Sequence, residues 1–345
     1  MATPKPVRRG WRQALVTSLF VVATLAIAAL VVFKSSPLPS VWVIRWAFAR
    51  DGAASNAALR AYLPPDIRTL VGLRYDPNDP SALLDIYRPS ALDGRELPVI
   101  VWIHGGGYVA GSRGEVANYA RILASDGFAV IAVDYPLAPE IKYPAAVRQI
   151  GQALAFLSAN AARLQLDRHR FILAGDSAGA QLAAQLAALA SSPNYAEATG
   201  LHAGIERAQL LGVVLFCGPY DGQLIASQAS SSWFSRTVVW SYFGSPNPSR
   251  PLLQSFSVVP HVTPNFPPVF ISVGNDDALA PQSVALADAL QKQGVRVETL
   301  FYPASHSPPL EHEYQFDLSL AESREALTRT RTFLHGLIEP ATLSR

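Results

Sequence analysis

Phe171-Ile172-Leu173-Ala174-Gly175-Asp176-Ser177-Ala178-Gly179-Ala180 is the stretch on which the fold turns. Four apolar residues make a short buried strand, Gly-x-Ser-x-Gly follows, and an alanine-rich helical pattern over 178–190 starts inside it. A strand that turns directly into a helix leaves room only for minimal side chains beside the turning residue. The serine is lifted above the strand end and the N-terminus of the helix points at it, the placement a nucleophile needs. By itself the pentapeptide is weak, since chance produces it in about one chain in ten at ordinary glycine usage. The strand–turn–helix setting is what gives it weight.

Outward from that turn, short apolar runs recur at 70–75, 83–87, 99–103, 129–133, 211–216, 269–273 and 297–302. Helical patterns lie among the later ones, at 116–125, 145–159, 178–190, 282–293 and about 321–337. Continuous Val/Ile/Leu strands are buried on both faces, as in a parallel sheet flanked by helices. The first two runs, joined only by residues 76–82, should instead pair antiparallel. The pattern therefore predicts one α/β domain over 69–345 with a mostly parallel eight-stranded sheet, although a chain of 345 residues is long enough for two domains. Residues 36–68 and about 219–265 do not fit the alternation and read as lid segments laid over the sheet. Half of the chain is hydrophobic and only 16% charged, which excludes a disordered polymer.

Residues 1–35 read as a tail and membrane anchor. The uncharged stretch 14–33 spans a bilayer core at about 1.5 Å per residue. A cleavable signal peptide is the rival reading, with Ala26-Ile27-Ala28 as its cleavage point, but the apolar run continues through Phe33. Lys5, Arg8, Arg9 and Arg12 precede the span and only Lys34 follows. That charge bias places the N-terminus in the cytoplasm and the catalytic domain outside it, or secreted if the segment is cleaved. Trp42, Trp46 and Phe48, mixed with Arg45 and Arg50, fit either a helix at the membrane surface or a lid helix packed on the domain. The net charge of +2 belongs to the tail: without residues 1–34 the chain carries −3 and no basic run, which argues against nucleic-acid binding. The single cysteine, Cys217, excludes an internal disulfide and any multi-cysteine metal site, and it reads as a core residue.

Three further features carry chemistry. His104-Gly105-Gly106-Gly107-Tyr108 follows the run at 99–103, and its glycines would let backbone N–H groups approach a developing oxyanion. Gly105-x-Gly107-x-x-Ala110 with Asp134 also satisfies a dinucleotide fingerprint. That fingerprint requires a helix starting in the glycine turn, whereas residues 109–114 keep the chain in a loop. A nucleophilic serine needs a base and an orienting acid, in chain order Ser, acid, His for this topology. Asp276 and Asp277 follow the run at 269–273, and Asp221 is an outside candidate. Among the histidines, His335 lies in a helical pattern and His312 in the charged Glu311-His312-Glu313, which reads as a solvated helix start. His306, in a loop just past the last strand, is the expected base.

With Asp134-Tyr135-Pro136-Leu137-Ala138-Pro139-Glu140 between the two glycine motifs, the sequence resembles the hormone-sensitive-lipase-like branch of the α/β-hydrolase superfamily over about residues 70–340. The family's Asp-x-Leu signature matches Asp277-Ala278-Leu279, so the resemblance implies Ser177 as nucleophile, Asp277 as orienting acid and His306 as base. It implies an oxyanion hole from the Gly105, Gly106 and Ala178 amides, no cofactor or metal, and short- to medium-chain acyl esters as substrates; the anchor adds membrane lipids or surface glycans as candidate substrates. Two departures stand out: Ala180 where a glycine is frequent, and Ser307-Pro308 after His306 where Gly-Phe is usual. A serine peptidase and a silent binding protein are the competing classes. The aromatics Trp233, Phe234, Trp240, Tyr242 and Phe243 fit an acyl pocket or plain packing equally well.

Overall fold

Alternation along the strands builds two cores on one sheet. Val99, Val101 and Ile103 point into one cluster, while Ile100 and Trp102 between them point into the other. Leu173 and Ile172 divide in the same way, as do Leu215 and Phe216, because successive side chains in a strand face opposite sides. In the computed structural model, which describes residues 10–230 and 232–339, the strands are β1 (Ile67–Arg74), β2 (Leu83–Pro89), β3 (Leu97–Ile103), β4 (Ala129–Val133), β5 (Leu166–Asp176), β6 (Leu210–Phe216), β7 (Val269–Val273) and β8 (Val297–Phe301). They form one sheet in the order β1-β2-β4-β3-β5-β6-β7-β8. β2 pairs antiparallel with β1 and β4; every later pairing is parallel.

The helices are α1 (Gly10–Ser35), α2 (Leu38–Ala58), α3 (Ala117–Ala124), α4 (Ala145–Ala159), α5 (Ala161–Leu164), α6 (Ala178–Ser191), α7 (Pro193–Thr199), α8 (Gly222–Gln228), α9 (Trp233–Phe243), α10 (Arg250–Phe256), α11 (Ala280–Lys292) and α12 (Ala321–Ile338). Helices α4, α6 and α11 cover one face of the sheet, and α3 and α12 the other. Helix α6 packs on the sheet through inward residues that are mostly alanine, among them Ala180, Ala183, Ala184 and Ala187, all buried. Ala180, a departure from the family pattern, is fully buried without strain in this helix.

Both segments that break the strand–helix alternation are helical. Residues 36–68 contain α2 and the start of β1, and 219–265 contain α8, α9 and α10. Helix α2 buries Val41 and Ile44 in the larger core, and its Phe48 stacks on Phe234 of α9 with ring centroids 5.8 Å apart. Helix α1 buries none of its described side chains, and Gln13–Ser35 is long and apolar enough to cross a membrane. Lys5, Arg8 and Arg9 lie outside the described residues, as does the side chain of Arg12.

Candidate active site

Ser177 sits at the summit of the turn between β5 and α6 with φ 50° and ψ −119°, a left-handed conformation that costs a non-glycine residue about 1–3 kcal/mol. The surroundings impose it. The Ser177 N–H donates to the Phe216 carbonyl at 2.8 Å, and a Cβ on Gly179 would overlap the Ile103 carbonyl oxygen. Gly175 is equally confined: its Cβ would stand 2.5 Å from the Gly179 carbonyl carbon. Strand β5, helix α6 and strand β3 thus meet backbone to backbone, and the hydroxyl is the group left standing clear.

His312 bridges Ser177 and Asp277. Its Nε2 lies 2.9 Å from Ser177 Oγ and its Nδ1 lies 2.8 Å from Asp277 Oδ2. The Asp277 carboxylate is 0% exposed and its Oδ1 accepts the Leu279 N–H at 2.7 Å, so both oxygens are fixed. Asp276 beside it is exposed, and Asp221 caps α8 by accepting the Gln223 and Leu224 N–H groups. Ser177 and Asp277 therefore stand together as expected, but the expected base does not. His306 Nε2 pairs with Glu322 Oε1 at 3.0 Å, and its ring packs on Tyr302, fastening the loop to the first turn of α12.

The reason is the path of the chain after β8. Residues 307–309, Ser-Pro-Pro, carry it outward, and Leu310 brings it back by hydrogen bonds to Asn275 Oδ1 (2.9 Å) and from Asp276 N–H to its carbonyl (3.0 Å). Two residues later His312 faces Asp277. Glu313 then takes φ 61°, the left-handed turn that glycine would make without strain after the histidine in the family pattern. A histidine followed by a residue held in that conformation was the signal, and Glu in place of Gly concealed it.

The second correction concerns the oxyanion donors. Gly105 N–H is already spent, donating to Asp176 Oδ2 at 2.7 Å, while Trp102 Nε1 donates to Asp176 Oδ1 at 2.7 Å. Beyond it, Gly106, Gly107 and Tyr108 all take positive φ (100°, 60° and 63°) and wind the loop back on itself. Among the described residues, the Gly106 and Gly107 N–H groups have no protein acceptor, nor has that of Ala178, the first residue of α6. The set that can meet an oxyanion is thus Gly106, Gly107 and Ala178, without Gly105.

Residues outside the two glycine motifs hold this loop in place. Tyr135 hydroxyl donates toward the His104 and Gly105 carbonyls (3.0 and 3.1 Å), and its ring stacks on the buried His104. From α2, Arg45 reaches the Val109 and Ala138 carbonyls and the Glu140 carboxylate. Neither Tyr135 nor Arg45 announces such a role in sequence, since both act through loops far apart along the chain.

Burial works against the charged form of His312, but its hydrogen bond to Asp277, with Cys217 and Glu313 nearby, carries its pKa well above the ordinary 6.5. Cys217 is itself pushed up to about 11 by burial, so near neutral pH it is a thiol and Asp277 and Glu313 supply the effect. Asp176 is held well above the carboxylate range by burial first and then by the neighbouring Glu313 carboxylate. Cys217, Asp277 and His312 each bring a ligand atom within 4.8 Å of the others. Both ring nitrogens of His312 are engaged and the thiol is protonated, so the trio is poorly prepared for a metal.

Residues 84–290 match the BD-FAE family model. The chain belongs to the BD-FAE family. Carboxylesterase NlhH of Mycobacterium tuberculosis is 30% identical to this BD-FAE member over 241 residues, covering 68% of this chain and 72% of NlhH. Esterase LipC of the same organism is 29% identical over 208 residues, covering 59% of this chain; the alignment spans 50% of LipC's length. Among solved structures, esterase B from Lactobacillus rhamnosis superposes with a TM-score of 0.73 at 26% identity, covering 87% of this chain and 95% of that one. Esterase B has also been crystallised inhibited by a C4-C4 SN3 tributyrin phosphonate. These likenesses fit a hormone-sensitive-lipase-like esterase of the α/β-hydrolase fold.

Proposed function

We propose that this BD-FAE member is a serine carboxylesterase in which Ser177 is the nucleophile, His312 the general base and Asp277 the group that orients it. The observation that carries the reading is His312, with one ring nitrogen 2.9 Å from Ser177 Oγ and the other 2.8 Å from a fully buried carboxylate. Ser177 Oγ attacks the ester carbonyl carbon as its proton passes to His312 Nε2, and Asp277 stabilises the imidazolium. The carbonyl oxygen takes the negative charge and is met by the Gly106, Gly107 and Ala178 N–H groups and the positive end of α6. Collapse expels the alcohol, protonated by His312, and leaves Ser177 acylated. Water then repeats the cycle with His312 as base and releases the acid.

The likeness to esterase B supports short acyl esters as substrates. The exposed, apolar α1 supports an uncleaved anchor, and the basic residues ahead of it a cytoplasmic N-terminus with the hydrolase domain on the other side. Helices α8 to α10 then form a cap beside the site. The test is labelling with a butyryl phosphonate and turnover of p-nitrophenyl butyrate. Wild type should take up the label on Ser177 and Ser177→Ala should lose both labelling and turnover; equal rates in the two overturn the proposal. Release of the full chain from membranes by carbonate overturns the anchor separately.

A further inference from the structure

Helix α2 is apolar on both sides. Its inner side buries Val41 and Ile44, and its outer side exposes Leu38, Trp42 and Trp46 at four-residue spacing with Val43 beside them. Trp42 and Trp46 are each 68% exposed, more than packing on this domain would leave. Arg50 lies 5.8 Å from the Trp46 ring, a cation beside an aromatic at the edge of the stripe.

A second exposed apolar patch lies at the start of α9, which packs on the inner side of α2. Phe48 stacks on Phe234, and Trp233 and Phe234 are exposed next to it. Phe234 is also part of the wall of the reaction site. A Cβ on Gly107 would stand 3.5 Å from Phe234 Cζ and 3.0 Å from Val238 Cγ2. The inner side of α2 thus reaches the oxyanion loop through Phe48 and Phe234, and the exposed Trp233 and Phe234 at the start of α9 lie beside that contact.

Position says what covers it. Only Ser36 and Pro37 separate the end of α1 from Leu38, a reach of at most about 10 Å. With α1 in a bilayer, Leu38 begins at the water–lipid boundary, where tryptophan beside arginine is favoured. We propose that the outer face of α2, with the start of α9, rests in the membrane interface and turns the mouth of the active site toward the bilayer, so that acyl esters dissolved in the lipid are the preferred substrates. This deepens the esterase reading and rests on α1 as an uncleaved span. Arg45, on the inner side of the helix, fixes its angle to the domain through Val109, Ala138 and Glu140.

The test uses the full chain reconstituted in phosphatidylcholine vesicles doped with diacylglycerol, wild type against a Trp42→Ser/Trp46→Ser variant. Brominated phosphatidylcholine should quench tryptophan emission in wild type and remove a smaller share of it in the variant. Diacylglycerol hydrolysis should fall at least about tenfold in the variant, the factor that corresponds to the low end of the insertion energy of a single large apolar side chain, with two removed. Hydrolysis of soluble p-nitrophenyl acetate should stay within about twofold, because neither residue touches the reacting groups. Equal quenching in the two proteins, or hydrolysis of both esters reduced alike or not at all, overturns the proposal. Failure of the esterase reading shows differently, as p-nitrophenyl acetate turnover that survives Ser177→Ala.

Discussion

Asp176 is the pivot between the nucleophile turn and the oxyanion loop, and replacing it with asparagine tests that linkage with almost no change of shape. Its two oxygens accept from Trp102 Nε1 and Gly105 N–H, each at 2.7 Å, in a fully enclosed place. Asparagine has one acceptor oxygen and one NH2 group, so however the amide is turned, one of the two donors faces another donor. A buried donor left unpaired costs about 1–3 kcal/mol. If the oxygen stays with Trp102, the NH2 group faces Gly105 and Glu313, and the loss falls on the loop that carries Gly106 and Gly107. Removing an oxyanion donor outright costs about 10²–10³ in kcat, so displacing the loop should cost about 10–10². For Asp176→Asn, urea unfolding should show that stability loss, and p-nitrophenyl butyrate hydrolysis should show lower kcat with KM little changed. Wild-type kcat together with wild-type stability would refute the linkage.

Three other substitutions or titrations follow from the same geometry. Glu115 is pushed up to about 7 by burial and then by Glu313. Because its folded pKa lies above its unfolded one, the folded state holds the proton more tightly and stability falls as pH rises from 4.5 toward 7. Glu115→Gln should therefore stabilise at pH 8 by about 2 kcal/mol, after allowance for partial solvent access, and hardly at all at pH 4.5; equal gains at both would contradict this. His312 must be neutral to accept the serine proton, so kcat/KM should climb with pH and level off above an inflection that lies higher than 6.5. An inflection at or below 6.5 would mean that Asp277 does not support the imidazolium. Gly179→Ala should lose more than about 4 kcal/mol in chemical denaturation, because its new carbon meets the Ile103 backbone and no side chain can move aside.

The sheet was legible because buried parallel strands announce themselves as runs of Val, Ile and Leu, and the eight runs correspond to β1 through β8. Ser177 was legible because a Gly-x-Ser-x-Gly turn is local: everything that shapes it lies within a few residues. The base was not. Three histidines follow β7 and β8, and choosing among them requires the path of residues 303–313, which is fixed by contacts between Leu310 and Asn275 that no local pattern records. His306 adjoins the strand end and Glu311-His312-Glu313 looks solvated, so proximity pointed away from the histidine that reaches Ser177. Gly105 failed for a similar reason, since its amide is claimed by Asp176, 71 residues away. Helices α8 to α10 lack the strand–helix alternation, and their aromatics left pocket and packing undecided. Phe234 lines the wall beside Gly107, whereas Tyr242 and Phe243 are buried in the larger core.

The exchange of roles between the two histidines is the most direct test of the account. His312→Ala and His306→Ala, assayed side by side on p-nitrophenyl butyrate, should separate completely. His312→Ala should lose at least about 10³ in kcat, as removal of a triad base does. His306→Ala should keep wild-type kcat and lose only the modest stability of its contact with Glu322. A His312→Ala enzyme that turns over normally beside an inactive His306→Ala would contradict the account at its centre.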